Sequence, residues 1–150
     1  MSTEENKAFM HRVYEEVYNQ RNLAVLDEVC VPDFVVHYPS RTLQGLEAYK
    51  HFVSLLFSAF PDGRYSIEDM IAEGDRVVVR HTFGGTHQGD FMGIPPTGKY
   101  VTTTAIVISR ISNGKGIEAW INGDDLGRMQ QLGVIPTPGQ ESKEKRRVIP

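Results

Sequence analysis

The strand-like segment near the end of the chain holds the residues best suited to chemistry. Trp120, Asn122 and Asp124 alternate with Ile121 and Gly123. Alternate residues of an extended strand share a face, so the spacing predicts an indole, an amide and a carboxylate side by side. That set suits a pocket wall better than a plain core. A carboxylate beside an aromatic wall loses hydration, and its pKa rises toward neutrality. A general acid–base working near neutral pH needs that property. A structural reading stands beside it: Asp is a favoured helix N-cap, and Asp124 or Asp125 can cap the turn at 126–131, with Asp125 the better placed.

The histidines are the next candidates. They fall at 11, 37, 51, 81 and 87 and show no i, i+4 pair, so no metal site is expected. His81 shares a strand face with Val77, Val79 and Phe83, an apolar side. A lone strand histidine of this kind is more often a satisfied core residue than a catalyst. His37 stands beside Tyr38 on a short strand. His87 lies in a glycine-rich stretch at 84–89. Both fit either ligand binding or local structure. Tyr14, Tyr18, Phe57 and Phe60 form an aromatic stripe that reads as helix core, with some of it free to line a pocket such as Tyr14 and Phe60 would border.

Several chemistries are missing from the sequence. There is no phosphate-binding loop, dinucleotide fingerprint or zinc-protease helix motif, and no nucleophile elbow. The only cysteine, Cys30, follows the acidic residues Asp27 and Glu28 and reads as a small buried filler.

The elements that must hold these residues follow from periodicity. Ser2 and Glu5 form an S-x-x-E capping box. It opens an amphipathic helix over roughly 4–19 carrying Phe9, Val13 and Val17. Asn22 is placed to cap a short second helix with Leu23, Leu26 and Val29, stopped by Pro32. A strand is expected at 34–38. Leu46, Tyr49, Val53, Leu56 and Phe57 mark a third helix, ended by the turn Pro61-Asp62-Gly63. Strands follow at 65–72, 76–83, 100–111 and 117–124, the last two joined by a Ser112-Asn113-Gly114-Lys115-Gly116 turn. Helices first and antiparallel strands after them give an α+β fold, a strongly curved, mainly antiparallel sheet with helices on one face.

Composition sets the frame. One hundred and fifty residues, 40% hydrophobic and 23% charged, fit a single globular domain. It is expected to span 1–140, with the charged stretch 141–150 as a mobile tail. A net charge of −3 gives no pull toward nucleic acid. No apolar run reaches the roughly 18 residues of a membrane span, and the N-terminus lacks a secretory pattern. A cytoplasmic location fits these features.

Seven segments, taken together, point to a family. They are Asp33-Phe34-Val35-Val36-His37, Ala59-Phe60-Pro61-Asp62, Gly74-Asp75-Arg76-Val77, Gly85-Thr86-His87-Gln88-Gly89, Gly93-Ile94-Pro95-Pro96-Thr97-Gly98, Trp120-Ile121-Asn122-Gly123-Asp124 and Gln130-Gln131-Leu132-Gly133. In this order and spacing the chain resembles the SnoaL-like polyketide cyclases, or ester cyclases, of the nuclear-transport-factor-like superfamily. The resemblance implies a cystatin-like cone around a deep apolar pocket. It also implies ring closure by intramolecular aldol condensation on an apolar or aromatic small molecule, without metal or cofactor. The family's acid–base aspartate, four residues after the tryptophan, falls on Asp124. His81 and Asn122 become candidate helpers, and Trp120, His37, His87, Phe60 and Tyr14 candidate binding residues. A homodimer or higher oligomer through the convex face is expected. Two other readings remain. One is another pocket-aspartate enzyme of this fold, an isomerase or an epoxide hydrolase needing an Asp-Arg-Asp set. The other is a non-catalytic small-molecule binder. A deep cavity with Asp124 at its end favours the enzymes, and an Asp124 turned to solvent favours the binder.

Overall fold

The computed structural model describes residues 2–139. The charged stretch expected as a tail lies outside the described residues. The first helix, α1 (Thr3–Arg12), opens on the expected capping box: Ser2 Oγ accepts from the Glu5 N–H at 3.1 Å, and Glu5 Oε1 accepts from the Ser2 N–H at 3.2 Å. It runs on without a break, but from Val13 to Asn19 the turn widens to a π-helix. Such segments recur at functional sites, and this one carries Tyr14 and Tyr18. Helix α2 (Ala24–Val29) begins at Leu23 without a side-chain cap. Asn22, expected to cap it through its side chain, instead lends its carbonyl to the Val25 N–H at 3.2 Å. Helix α3 spans Leu46–Ala59. Arg21, at the positive φ of 61°, closes the end of α3 by donating to the carbonyls of Phe57, Phe60 and Gly63.

Six strands form one curled, unclosed sheet: β1 (Cys30–Tyr38), β2 (Arg41–Gln44), β3 (Arg64–Glu73), β4 (Arg76–Thr86), β5 (Tyr100–Ser112) and β6 (Lys115–Gly123). Their order is β2-β1-β6-β5-β4-β3, with β1 and β6 parallel and every other pair antiparallel. The α+β class and the curved sheet therefore match the expectation. Strand β1 starts four residues earlier than predicted. Pro32, which has no N–H to give, sits where the β1–β6 register shifts between Cys30 and Val35. Strands β5 and β6 meet through a two-residue turn, Asn113-Gly114, both at positive φ. That backbone matches the right-handed twist of the paired strands.

Register decides which face looks inward. Val79, Val107 and Ile121 align across β4, β5 and β6, as do Val77, Ser109 and Ala119. These face the helices. A core of Val17, Leu26, Val36 and Val53 binds α2 and α3 to β1, and a second one of Met10, Tyr14, Val77 and Val79 binds the first helix to β4. The residues between them in sequence face outward.

Candidate active site

Between the helices and the inner sheet face lies a cavity of about 260 Å³. Ser40, Arg41, Met92 and Asp125 are among its solvent-exposed lining residues and mark an open end. Five of the chain's six tyrosines line it: Tyr14, Tyr18, Tyr38, Tyr49 and Tyr65. Burial raises the pKa of each, so the wall carries neutral phenols at physiological pH. Tyr18 and Tyr49 hydrogen-bond each other. Cys30 also lines the cavity, where burial pushes its thiol up to about 12, so it is no nucleophile at neutral pH.

The main polar pair inside is His81 with Tyr14. The Tyr14 hydroxyl and His81 Nδ1 lie 2.7 Å apart. Residues 67 positions apart in the chain meet there because the first helix packs across β3 and β4. Burial, and then the positive charge of Arg128, lowers the His81 pKa to about 4, so the imidazole is neutral at pH 7. Among the described residues the Tyr14 hydroxyl has no other partner. Its proton therefore goes to Nδ1, which leaves the imidazole hydrogen on Nε2. Nε2 has no protein partner among the described residues, and His81 lines the cavity. The result is an N–H donor of fixed tautomer facing an apolar chamber.

The carboxylates fall differently from the sequence expectation. Strand β6 ends at Gly123, and α4 (Asp125–Gln131) starts two residues later. Asp124, rather than Asp125, is the N-cap: its Oδ1 accepts from the Gly127 N–H at 2.9 Å. Its side chain is exposed and does not border the cavity. Asp125 does, together with Arg128 on the next turn.

The alternation along β6 is as predicted, but its phase is reversed. Ala119, Ile121 and Gly123 face the cavity. Trp120 lies on the outer face, stacked on His37 at 5.3 Å with Arg76 over its ring. His37 also pairs with Glu118 at 2.6 Å, and this contact holds the Glu118 carboxyl below its ordinary range. Asn122 is exposed opposite Ile106. Trp120, Asn122 and His37 therefore cannot line the pocket as expected. Phe60 and His87 are fully buried beside each other, ring to ring at 5.6 Å, in a cluster behind the cavity wall. His87 Nδ1 accepts from the Thr97 N–H at 3.1 Å, which pins the loop before β5. Of the eight residues expected at the site, the structure brings His81 and Tyr14 to the cavity. Sequence reasoning passed over Arg128, Thr103 and Ser109. The last two were legible as the inward set of β5, since they share the two-residue period and hence the strand face of Ala105 and Val107.

An epoxide-hydrolase arrangement gains no support. Arg80 pairs with Asp69 and Arg110 with Glu118 and Asp75, all on the outer face. Among the described residues no cluster of three metal-ligating side chains occurs.

The model of the SnoaL-like polyketide cyclases matches residues 8–132. The chain belongs to this family. Solved structures agree in fold. A candidate SnoaL-like polyketide cyclase from Jannaschia sp. CCS1 is 26% identical, with a TM-score of 0.83 over 89% of this chain and 95% of that one. AclR from Streptomyces galilaeus, a candidate hydroxylase, is 28% identical, with a TM-score of 0.83 over 98% and 93%. IdmH from Streptomyces antibioticus, a candidate polyketide cyclase, is 30% identical, with a TM-score of 0.74 over 85% and 98%. No curated protein matches the chain at a significant level. A SnoaL-like chain with an apolar, phenol-lined chamber has room for a small molecule, and no helix among the described residues is long and apolar enough to cross a membrane.

Proposed function

We propose that this protein closes a ring on a polyketide-type substrate by an intramolecular aldol step, using only its own acid–base groups. The carrying observation is the Tyr14–His81 pair: a neutral imidazole of fixed tautomer, with a free N–H, inside an apolar chamber. In such a place a donor needs no reorganisation when charge develops on a carbonyl oxygen. The substrate's carbonyl accepts from His81 Nε2. A carboxylate at the cavity mouth takes a proton from the carbon between two carbonyls, and the electron pair moves into an enolate oxygen held by His81. The enolate carbon then attacks a ketone in the same molecule. A C–C bond forms, the carbonyl pair becomes an alkoxide, and the carboxylic acid returns its proton there. Folding the substrate against the tyrosine wall brings the two carbons together, a large part of such barriers.

The family resemblance puts the carboxylate at Asp124. The geometry favours Asp125, which lines the cavity, whereas Asp124 must first release Gly127. Asp125→Asn and Asp124→Asn separate the two in a turnover assay on a linear polyketide supplied both as its ester and as its free acid. Loss of about 10²-fold or more, the usual share of general acid–base catalysis, in Asp125→Asn alone assigns the step to Asp125. The same loss in Asp124→Asn alone assigns it to Asp124 through an opened cap. Full activity in both variants refutes acid–base cyclisation.

The proposal includes a homodimer through the outer sheet face. Ile71, Val78, Ile108 and Trp120 form a cross-strand row there, with Ile71 64% exposed. Ile106 adds a further exposed apolar residue. A monomer by light scattering at micromolar concentration overturns this part.

A further inference from the structure

We infer that Arg128 makes the cavity select ligands that carry a carboxylate, or a comparable oxyanion, over their neutral esters. The inference rests on the reading of the cavity as a small-molecule site and names the class of molecule that it takes.

The Arg128 guanidinium has unmet valences. An arginine carries five N–H donors in one plane. For Arg128 the contacts are few and long. Nη2 reaches Thr103 Oγ1 at 3.4 Å, and Nη1 stands 3.7 Å from Asp125. Nε is buried and has no partner among the described residues. The Arg128 side chain is only 19% exposed, whereas that of Asp125 is 67% exposed. A cation removed from water needs compensation by charge or by several hydrogen bonds, and the protein supplies little of either.

Packing explains only part of this placement. The guanidinium lies 5.3 Å from the Phe91 ring centroid and 6.0 Å from that of Phe83. Such contacts use the flat face of the group, while its N–H bonds point outward in the plane and still require acceptors.

The charge of the wall agrees. The charged side chains lining the cavity are Arg41, Arg128 and Asp125, an excess of one positive charge, while the whole chain carries −3. Low-dielectric walls strengthen such a local excess. A carboxylate seated near Arg128 would take up the Nη hydrogens that Thr103 and Asp125 leave unmet, and its aromatic body would lie along the tyrosines. An ester offers the same body without the charge.

The test uses 3-hydroxy-2-naphthoate and its methyl ester as probes, with affinities from isothermal titration calorimetry at pH 7.5 on the full chain. Wild type is expected to bind the acid at least tenfold more tightly than the ester. Arg128→Met, checked for folding by circular dichroism, is expected to lose that margin while its ester affinity stays within threefold. Arg128→Lys, which keeps the charge, should retain part of it. Equal binding of acid and ester by wild type overturns the inference while leaving the cavity reading intact, and needs no variant to fold. A preference that survives in Arg128→Met also overturns it. Failure of both probes to bind wild type overturns the inference together with the small-molecule reading beneath it.

Discussion

Acidification should destabilise this protein through His81, and the size of the effect follows from the site. The His81 pKa falls from its ordinary 6.5 to about 4 because the ring is buried, with the Arg128 charge adding to the effect. In the unfolded chain the ring titrates normally. Between these values the unfolded state binds a proton that the folded state refuses, so unfolding becomes easier as pH falls. The contribution is fully present above pH 6.5 and is lost progressively as pH drops toward 4. From pH 7.5 to 4.5 the loss comes to about 2.5 kcal/mol for this one group. Carboxylates held low by contacts, such as Glu118 and Asp62, add their own losses at lower pH. The comparison must therefore be a difference. His81→Gln keeps an acceptor for Tyr14 and removes the titration. Urea unfolding of both proteins at half-unit steps from pH 7.5 to 4.5 gives two stability curves. Wild type should lose about 2.5 kcal/mol more than the variant over that span. Parallel curves would falsify the neutral, buried state of His81 and, with it, the fixed tautomer on which the proposed chemistry depends.

Two further outcomes can be checked with single variants. Tyr14→Phe removes the donor to His81 Nδ1 and leaves a buried acceptor unmet. Stability should fall by about 1–2 kcal/mol, roughly 2–8 °C in Tm by calorimetry, and kcat should fall while KM changes little. Unchanged turnover in Tyr14→Phe would show that the Tyr14 hydroxyl does not set the His81 tautomer for the reaction. Ile106→Asp, on the exposed outer face, should convert the proposed dimer to monomer in sedimentation velocity without lowering the monomer's helix content. An unchanged sedimentation coefficient would place the subunit contact elsewhere.

Much of the scaffold was written locally. The capping box of Ser2 and Glu5, the Asn113-Gly114 hairpin and the β-branched run of β5 each act over a few residues, and each formed where it was read. The seven family segments extended this to the whole cone. The candidate site was less legible, because its members come from distant parts of the chain. Tyr14 and His81 were named separately, yet nothing local tied the hydroxyl of one to the ring of the other. Arg128 belongs to a seven-residue helix that looks like an ordinary polar turn, and only packing against Phe91 and Phe83 leaves it half-buried with its Nε out of contact with solvent.

The last strand shows where the boundary lies. Its period of two was set by the sequence alone, since any extended backbone sends successive side chains to opposite sides. Which side became the cavity depended on tertiary structure. Pairing with β5 aligned Ala119, Ile121 and Gly123 with the inward residues Ser109, Val107 and Ala105. The small side chains among them leave room for the chamber, while bulky Trp120 stacks outside on His37. The same register ended the strand at Gly123, so Asp124 turned to cap a helix and Asp125 faced the mouth. The sequence determined that carboxylates would stand at the end of this strand. The curl of the sheet and the start of α4 decided which of them looks into the site.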